Sequence, residues 1–89
     1  MIKLFFTPSF MREAKRLAKS DKHLGEEIAD KIELFKNREN HIQLKVHKLH
    51  GSIAGFWSFS INYKYRIIFE PINKNEVIFH DIGDHEVYK

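Results

Sequence analysis

The sequence predicts an α+β fold in the order β-α-α-β-β-β-β, an antiparallel sheet with an N-terminal helical hairpin packed on one face. Three observations lead there. Apolar residues recur at helical spacing between Phe10 and Phe35. From about residue 43 the apolar period changes to two. Short turn signals then separate the alternating segments, so successive strands pair as hairpins.

Each element has its own warrant. "MIKLFF" is rich in strand formers and stops at Thr7-Pro8, giving a strand over about 2–6. Thr7 caps a helix whose first position is Pro8, where a missing N–H costs nothing. Phe10, Ala14, Leu17 and Ala18 form its apolar face. Asp21 is the N-cap of a second helix, striped by Leu24, Ile28, Ile32 and Phe35. So short a linkage makes the two helices an antiparallel hairpin. "LKVHKL" (44–49) alternates as a strand, and "GSIAG" (51–55) is a turn with glycine at both ends. "FWSFSINY" (56–63) sets Trp57, Phe59 and Ile61 on one face. "YRIIFEPI" (65–72) is a strand that Pro71 ends, "NKN" (73–75) a hairpin turn, and "EVIFHDIG" (76–83) the last strand.

Eighty-nine residues make one domain, 1–89, with a small stability margin. Hydrophobic residues at 43% and charged residues at 30% belong to a globular protein, not a disordered one. No apolar run approaches the ~20 residues that span a bilayer, and the N-terminus is no signal peptide. Zero cysteines exclude disulfides and cysteine-ligated zinc. A cytoplasmic protein without membrane contact is expected. The net charge of +3 favours anionic partners. Its distribution says more: "QLKVHKLH" (43–50) and "NYKYR" (62–66) are basic, whereas acids gather in 26–39 and at the C-terminal end.

Strand alternation places Arg66, Ile68 and Glu70 on one face, and Tyr65, Ile67 and Phe69 on the other. In the last strand it sets Val77, Phe79 and Asp81 against Ile78, His80 and Ile82. Pairing the last two strands brings Arg66 near Asp81 through His85. Helices cover one sheet face only; the other keeps polar groups. A basic, aromatic-bearing sheet face suits a single-stranded nucleic acid, with cations on phosphates and rings on bases.

These residues resemble the RelE/ParE toxins of bacterial type II toxin–antitoxin systems. The resemblance rests on Leu49-His50-Gly51, Gly55-Phe56-Trp57, Tyr65-Arg66-Ile67-Ile68-Phe69 and Ile82-Gly83-Asp84-His85, in order. It implies a toxin silenced by a cognate antitoxin protein. In the RelE and YafQ branches the activity is cleavage of mRNA on the ribosome, without a metal or small-molecule cofactor. In the ParE branch it is inhibition of DNA gyrase without catalysis, and a degenerate member would retain antitoxin binding alone. Arg66 matches the family's strand arginine, and His85 the catalytic position after the C-terminal glycine. Tyr88 matches a further aromatic, at a different spacing. His47 matches the histidine of a His-x-Leu-x-Gly context in the YafQ branch. Two other acid–base positions of that branch hold Ser60 and Lys64 here.

The chemistry this implies is attack by the substrate's own 2′-OH. Histidine suits both proton roles, because its unperturbed pKa lies near neutrality. Arginine suits the pentacoordinate phosphate, as a permanent cation of fork geometry. His85 is the expected general acid, His47 or a neighbouring lysine the general base, and Arg66 the stabiliser. Lys45, Lys48, Lys64 and Tyr88 are the expected RNA contacts. Each residue has a plainer alternative: His85 and His47 as solvated surface groups, Arg66 as the partner of Glu70 or Asp81, and Tyr88 as a pin for the tail. His50 and His80 are read as structural or substrate-lining, and Trp57 and Phe59 as core. The histidine spacing matches no familiar metal-ligand set.

Overall fold

A computed structural model describes residues 1–84 of the chain. Strand β1 (Lys3–Phe6) leads into helices α1 (Pro8–Ser20) and α2 (Lys22–Phe35). Four strands follow: β2 (His47–Lys48), β3 (Trp57–Ser60), β4 (Tyr65–Asn73) and β5 (Glu76–Asp84). They form one five-stranded sheet in the order β1-β5-β4-β3-β2. β2 to β5 run as the expected antiparallel meander. β1 joins the far side of β5 in parallel, Lys3 opposite Glu76 and Phe6 opposite Phe79, so the sheet is mixed. The helical crossover between β1 and the meander makes that parallel pairing accessible.

The helix caps are those expected. The Thr7 side chain accepts from the Phe10 N–H at 3.0 Å, with Pro8 in the first turn. The Asp21 side chain accepts from the Leu24 N–H at 3.1 Å, while its own N–H closes α1 on the Leu17 carbonyl. One residue therefore ends the first helix and starts the second. The hairpin is tight because Gly25 faces Ala18: a Cβ at Gly25 would lie 2.9 Å from the Ala18 Cβ.

Phe35, at the end of α2, is fully buried at the centre of the core. Its ring centroid lies 4.7 Å from that of Phe59, 4.9 Å from Phe69 and 5.3 Å from Phe79. Burial of each such side chain stabilises the fold by about 1.5–3 kcal/mol, and aromatic pairs add roughly 0.5–1.5 kcal/mol. Three strands and the helical layer are held through this one ring.

Three departures from sequence alternation matter for the site. The segment 44–49 is a strand only at His47–Lys48. Before it the chain winds into turns: the Leu44 N–H bonds the Asn40 carbonyl at 3.1 Å and the Lys45 N–H that of Ile42 at 3.0 Å. That turn already buries Leu44, so the apolar pattern is satisfied without a strand. Second, Pro71 does not end β4, which continues to Asn73. β3 reaches only as far as the Trp57–Phe69 pair, so Pro71 lies where β4 has β5 alone as a neighbour, and a missing N–H is tolerated at such an edge. Third, β5 carries an extra residue: Asp81 pairs with Ile68 but Phe79 with Phe69. This bulge at His80 lets Phe79 and Ile82 both face the core, both being buried, while Asp81 is exposed. Strict alternation had put Asp81, not Ile82, beside Phe79.

Candidate nucleic-acid interface

The face of the sheet away from the helices is read from the register. One row holds Ser60, Arg66 and Gly83; the next holds His47, Ser58, Ile68 and Asp81. Glu70 projects from the same face further along β4. Its carboxylate pairs with the His80 ring nitrogen at 3.0 Å, and Phe56 meets that ring edge-on, with 5.0 Å between centroids.

Arg66 takes neither of the salt bridges open to it. Glu70 is engaged by His80, and the Asp81 carboxylate accepts from the Ser9 hydroxyl at 3.3 Å. The Nη1 of Arg66 is buried and has no hydrogen-bond partner among the described residues. Leaving a buried donor unpaired costs about 1–3 kcal/mol, and more for a charged one. Such a group is paired in nearly all folded proteins, so an unmet guanidinium nitrogen marks a place for an acceptor from beyond the described residues.

The surroundings are suited to an anion. Arg66 lines a pocket of about 320 Å³ with Lys31, Gln43, Lys45, Ser60 and Tyr63, and no acidic residue among the described ones lines it. Lys45 reaches it through a left-handed backbone, φ 59°, a conformation that costs a non-glycine residue roughly 1–2 kcal/mol. The β3–β4 turn that forms another wall is built by Asn62. Its carbonyl oxygen accepts from the N–H groups of Lys64 and Tyr65 at 2.9 and 2.8 Å, and its amide donates to Glu27 of α2 at 3.0 Å. Glu27 is thereby turned to the turn, not to the pocket.

His47 sits on the same sheet face, two strands over and one row along. Register and strand spacing put its Cα about 12 Å from that of Arg66. Its Nδ1 lies 2.7 Å from the Lys45 carbonyl oxygen. A carbonyl only accepts, so Nδ1 carries the proton, and in the neutral ring Nε2 presents a lone pair.

The other residues chosen from sequence divide as follows. Lys48 lies on the opposite face from His47, its Nζ 5.6 Å from the Trp57 ring centroid, and does not join Arg66. Lys64 is exposed at the turn, its Nζ 5.3 Å from the Tyr65 ring centroid. His85 and Tyr88 lie outside the described residues. Lys31, Gln43 and Tyr63 line the pocket without having been singled out. Tyr63 is almost wholly exposed, at 93%, a ring free to stack on a base. The basic run "NYKYR" was its only sequence signal; Lys31 gave none, being a polar residue of an amphipathic helix.

The comparisons with known proteins concern the fold. No family model and no curated protein matches the sequence. Among solved structures, a YoeB/ParE toxin from Agrobacterium tumefaciens is 22% identical with a TM-score of 0.69, covering 94% of this chain and 99% of that one. The toxin–antitoxin YoeB-YefM complex from Staphylococcus aureus includes a chain 19% identical with a TM-score of 0.73, covering 96% and 98%. YafQ from Escherichia coli is 13% identical with a TM-score of 0.67, covering 97% and 96%. At such identities the likeness is one of fold, shared over nearly the full length of both chains.

Proposed function

We propose that this protein, a chain with the fold of the RelE-like toxins, is the toxin of a type II toxin–antitoxin pair and cuts mRNA on the ribosome. The observation that carries the reading is the buried Arg66 Nη1, unpaired among the described residues and set in a pocket that lysines, and no acid among those residues, line. A phosphate oxygen supplies the missing acceptor, and charge-assisted bonds of that kind are about twice as strong as neutral ones.

In the proposed reaction Nε2 of His47 takes the proton of the substrate 2′-OH. The freed O2′ bonds to the adjacent phosphorus. Negative charge then builds on the equatorial phosphate oxygens, where the Arg66 guanidinium meets it without reorganising. The bond to the 5′-oxygen breaks, and the leaving oxygen receives a proton from His85. The products are a 2′,3′-cyclic phosphate and a free 5′-OH. Lys31 and Lys45 hold neighbouring phosphates, and Tyr63 offers a stacking surface. The partner is a cognate antitoxin, a proposal supported by the neighbour that is found in a complex with YefM, and the place of action is the cytoplasm.

The test is induction of the chain in a bacterial host, with mRNA ends mapped and translation followed. Expected are a rapid stop in protein synthesis, cuts at codons in the ribosomal A site, and cyclic-phosphate ends; Arg66→Ala abolishes all three. Intact mRNA with filamentation and inhibited DNA gyrase would replace this reading by the non-catalytic one. Absence of any phenotype would leave antitoxin binding as the remaining role.

A further inference from the structure

A second concavity lies at the other end of the sheet. The end of α2, the 3₁₀ turn Arg38–Asn40 and the β4–β5 turn meet there around about 270 Å³. Phe35, Trp57, Phe69 and Val77 supply its apolar walls; Arg38 and Lys74 stand among its lining residues. His41 is part of the wall, its ring stacked on Phe35 at 4.5 Å and its Nε2 fixed on the Phe35 carbonyl at 2.8 Å. From Arg66 to Asn73, which lines the pocket, β4 runs seven residues, roughly 20 Å. The two sites are therefore separate.

Size and charge define what fits. Drug-sized ligands occupy roughly 300–1,000 Å³; this pocket is smaller and suits one aromatic or leucine side chain. Arg38 and Lys74 are exposed, form no ion pair among the described residues, and share the lining with no acid. The Lys48 ammonium, over the Trp57 ring, adds a third positive charge nearby. We infer that this pocket docks an acidic segment of a partner protein through a single buried aromatic or leucine side chain, with carboxylates on either side meeting Arg38 and Lys74. An anchor in a dry pocket surrounded by complementary charge is how short segments concentrate binding energy. That the partner is the antitoxin rests on the toxin reading; the docking itself does not. A segment held here leaves the Arg66 pocket uncovered, so it tethers the partner without itself blocking the site.

The test uses isotope-labelled full-length protein and three short blocked peptides: acidic flanks around tryptophan, the same flanks around alanine, and lysine flanks around tryptophan. The first is expected to bind with a dissociation constant on the order of 100 μM, shifting the Trp57 indole and Val77 methyl signals. The other two are expected to bind at least about tenfold more weakly. Arg38→Glu and Lys74→Glu, both at exposed positions, are expected to weaken the first peptide while leaving the melting curve unchanged. An Arg66→Ala chain is expected to bind it as well as the parent, whatever that variant does to RNA cleavage. Equal binding of all three peptides, or shifts confined to other surfaces, would overturn the inference. So would a concentration-dependent dimer in sedimentation that protects Trp57, which would assign the pocket to a second copy of the chain.

Discussion

The Nδ1–H of His47 donates to the carbonyl oxygen of Lys45, two residues earlier, across 2.7 Å. A single short bond thus decides which ring nitrogen is left to take a proton. The same turn that supplies the carbonyl also aims the Lys45 side chain into the Arg66 pocket. His47→Gln removes the proposed base but not the local hydrogen-bonding capacity. Cleavage of ribosome-bound mRNA is expected to fall by about 10²–10⁴-fold with an unchanged thermal midpoint. Parent-like cleavage would transfer the base role to a lysine.

In the proposed reaction Arg66 trades stability for reactivity. Arg66→Met keeps most of the volume and removes the unpaired buried nitrogen. Stability in urea is expected to hold or rise by about 1 kcal/mol, while cleavage is lost. A variant destabilised by several kcal/mol would show that the guanidinium holds the fold together instead.

Lys45 makes a similar trade through its backbone. Lys45→Gly releases the strain of φ 59° and is expected to raise stability by about 0.5–1 kcal/mol. The same change removes a cation from the pocket. RNA affinity should fall, and its salt dependence should become shallower by roughly one ion. Denaturant melts and binding titrations at several salt concentrations read the two effects separately.

Among the described residues Ser58 carries another unpaired buried side-chain atom, its Oγ, on the same sheet face. Ser58→Ala is expected to leave stability unchanged or raise it by about 1 kcal/mol. A loss of more than that would mean the hydroxyl has a partner in solution.

Gly25→Val tests the helical hairpin. Even a methyl group there would meet Ala18 at 2.9 Å, and the gain in helix propensity is smaller than the cost of overpacking. A loss of about 1–3 kcal/mol is expected, with RNA cleavage retained below the melting transition. An unchanged melting temperature would show that the two helices separate freely.

Local rules made much of the fold legible. Thr7, Pro8 and Asp21 announced both helices, and the Leu24-to-Phe35 stripe announced what they cover. Arg66 was placed on a face with Ile68 and Glu70 and near Asp81 through His85, and it does pair with Gly83 because β4 and β5 are in simple register at that end. What sequence did not show was non-local. The parallel seam of β1 on β5 joins residues more than seventy positions apart, and no turn residue signals it. The bulge at His80 leaves no mark in an alternating run, so Asp81 and Ile82 exchanged faces. Lys31 was invisible because an amphipathic helix does not reveal which polar residues border a pocket belonging to the sheet.

That seam also bears on synthesis. β5 is made after the other four strands, and it lies between β1 and β4. A nascent chain lacking β5 has no partner for β1, only β3 beside Arg66, and a core without Phe79 and Ile82. Contacts this distant in sequence also slow folding. The row of Ser60, Arg66 and Gly83 is therefore complete, and β1 paired, only once β5 has left the exit tunnel.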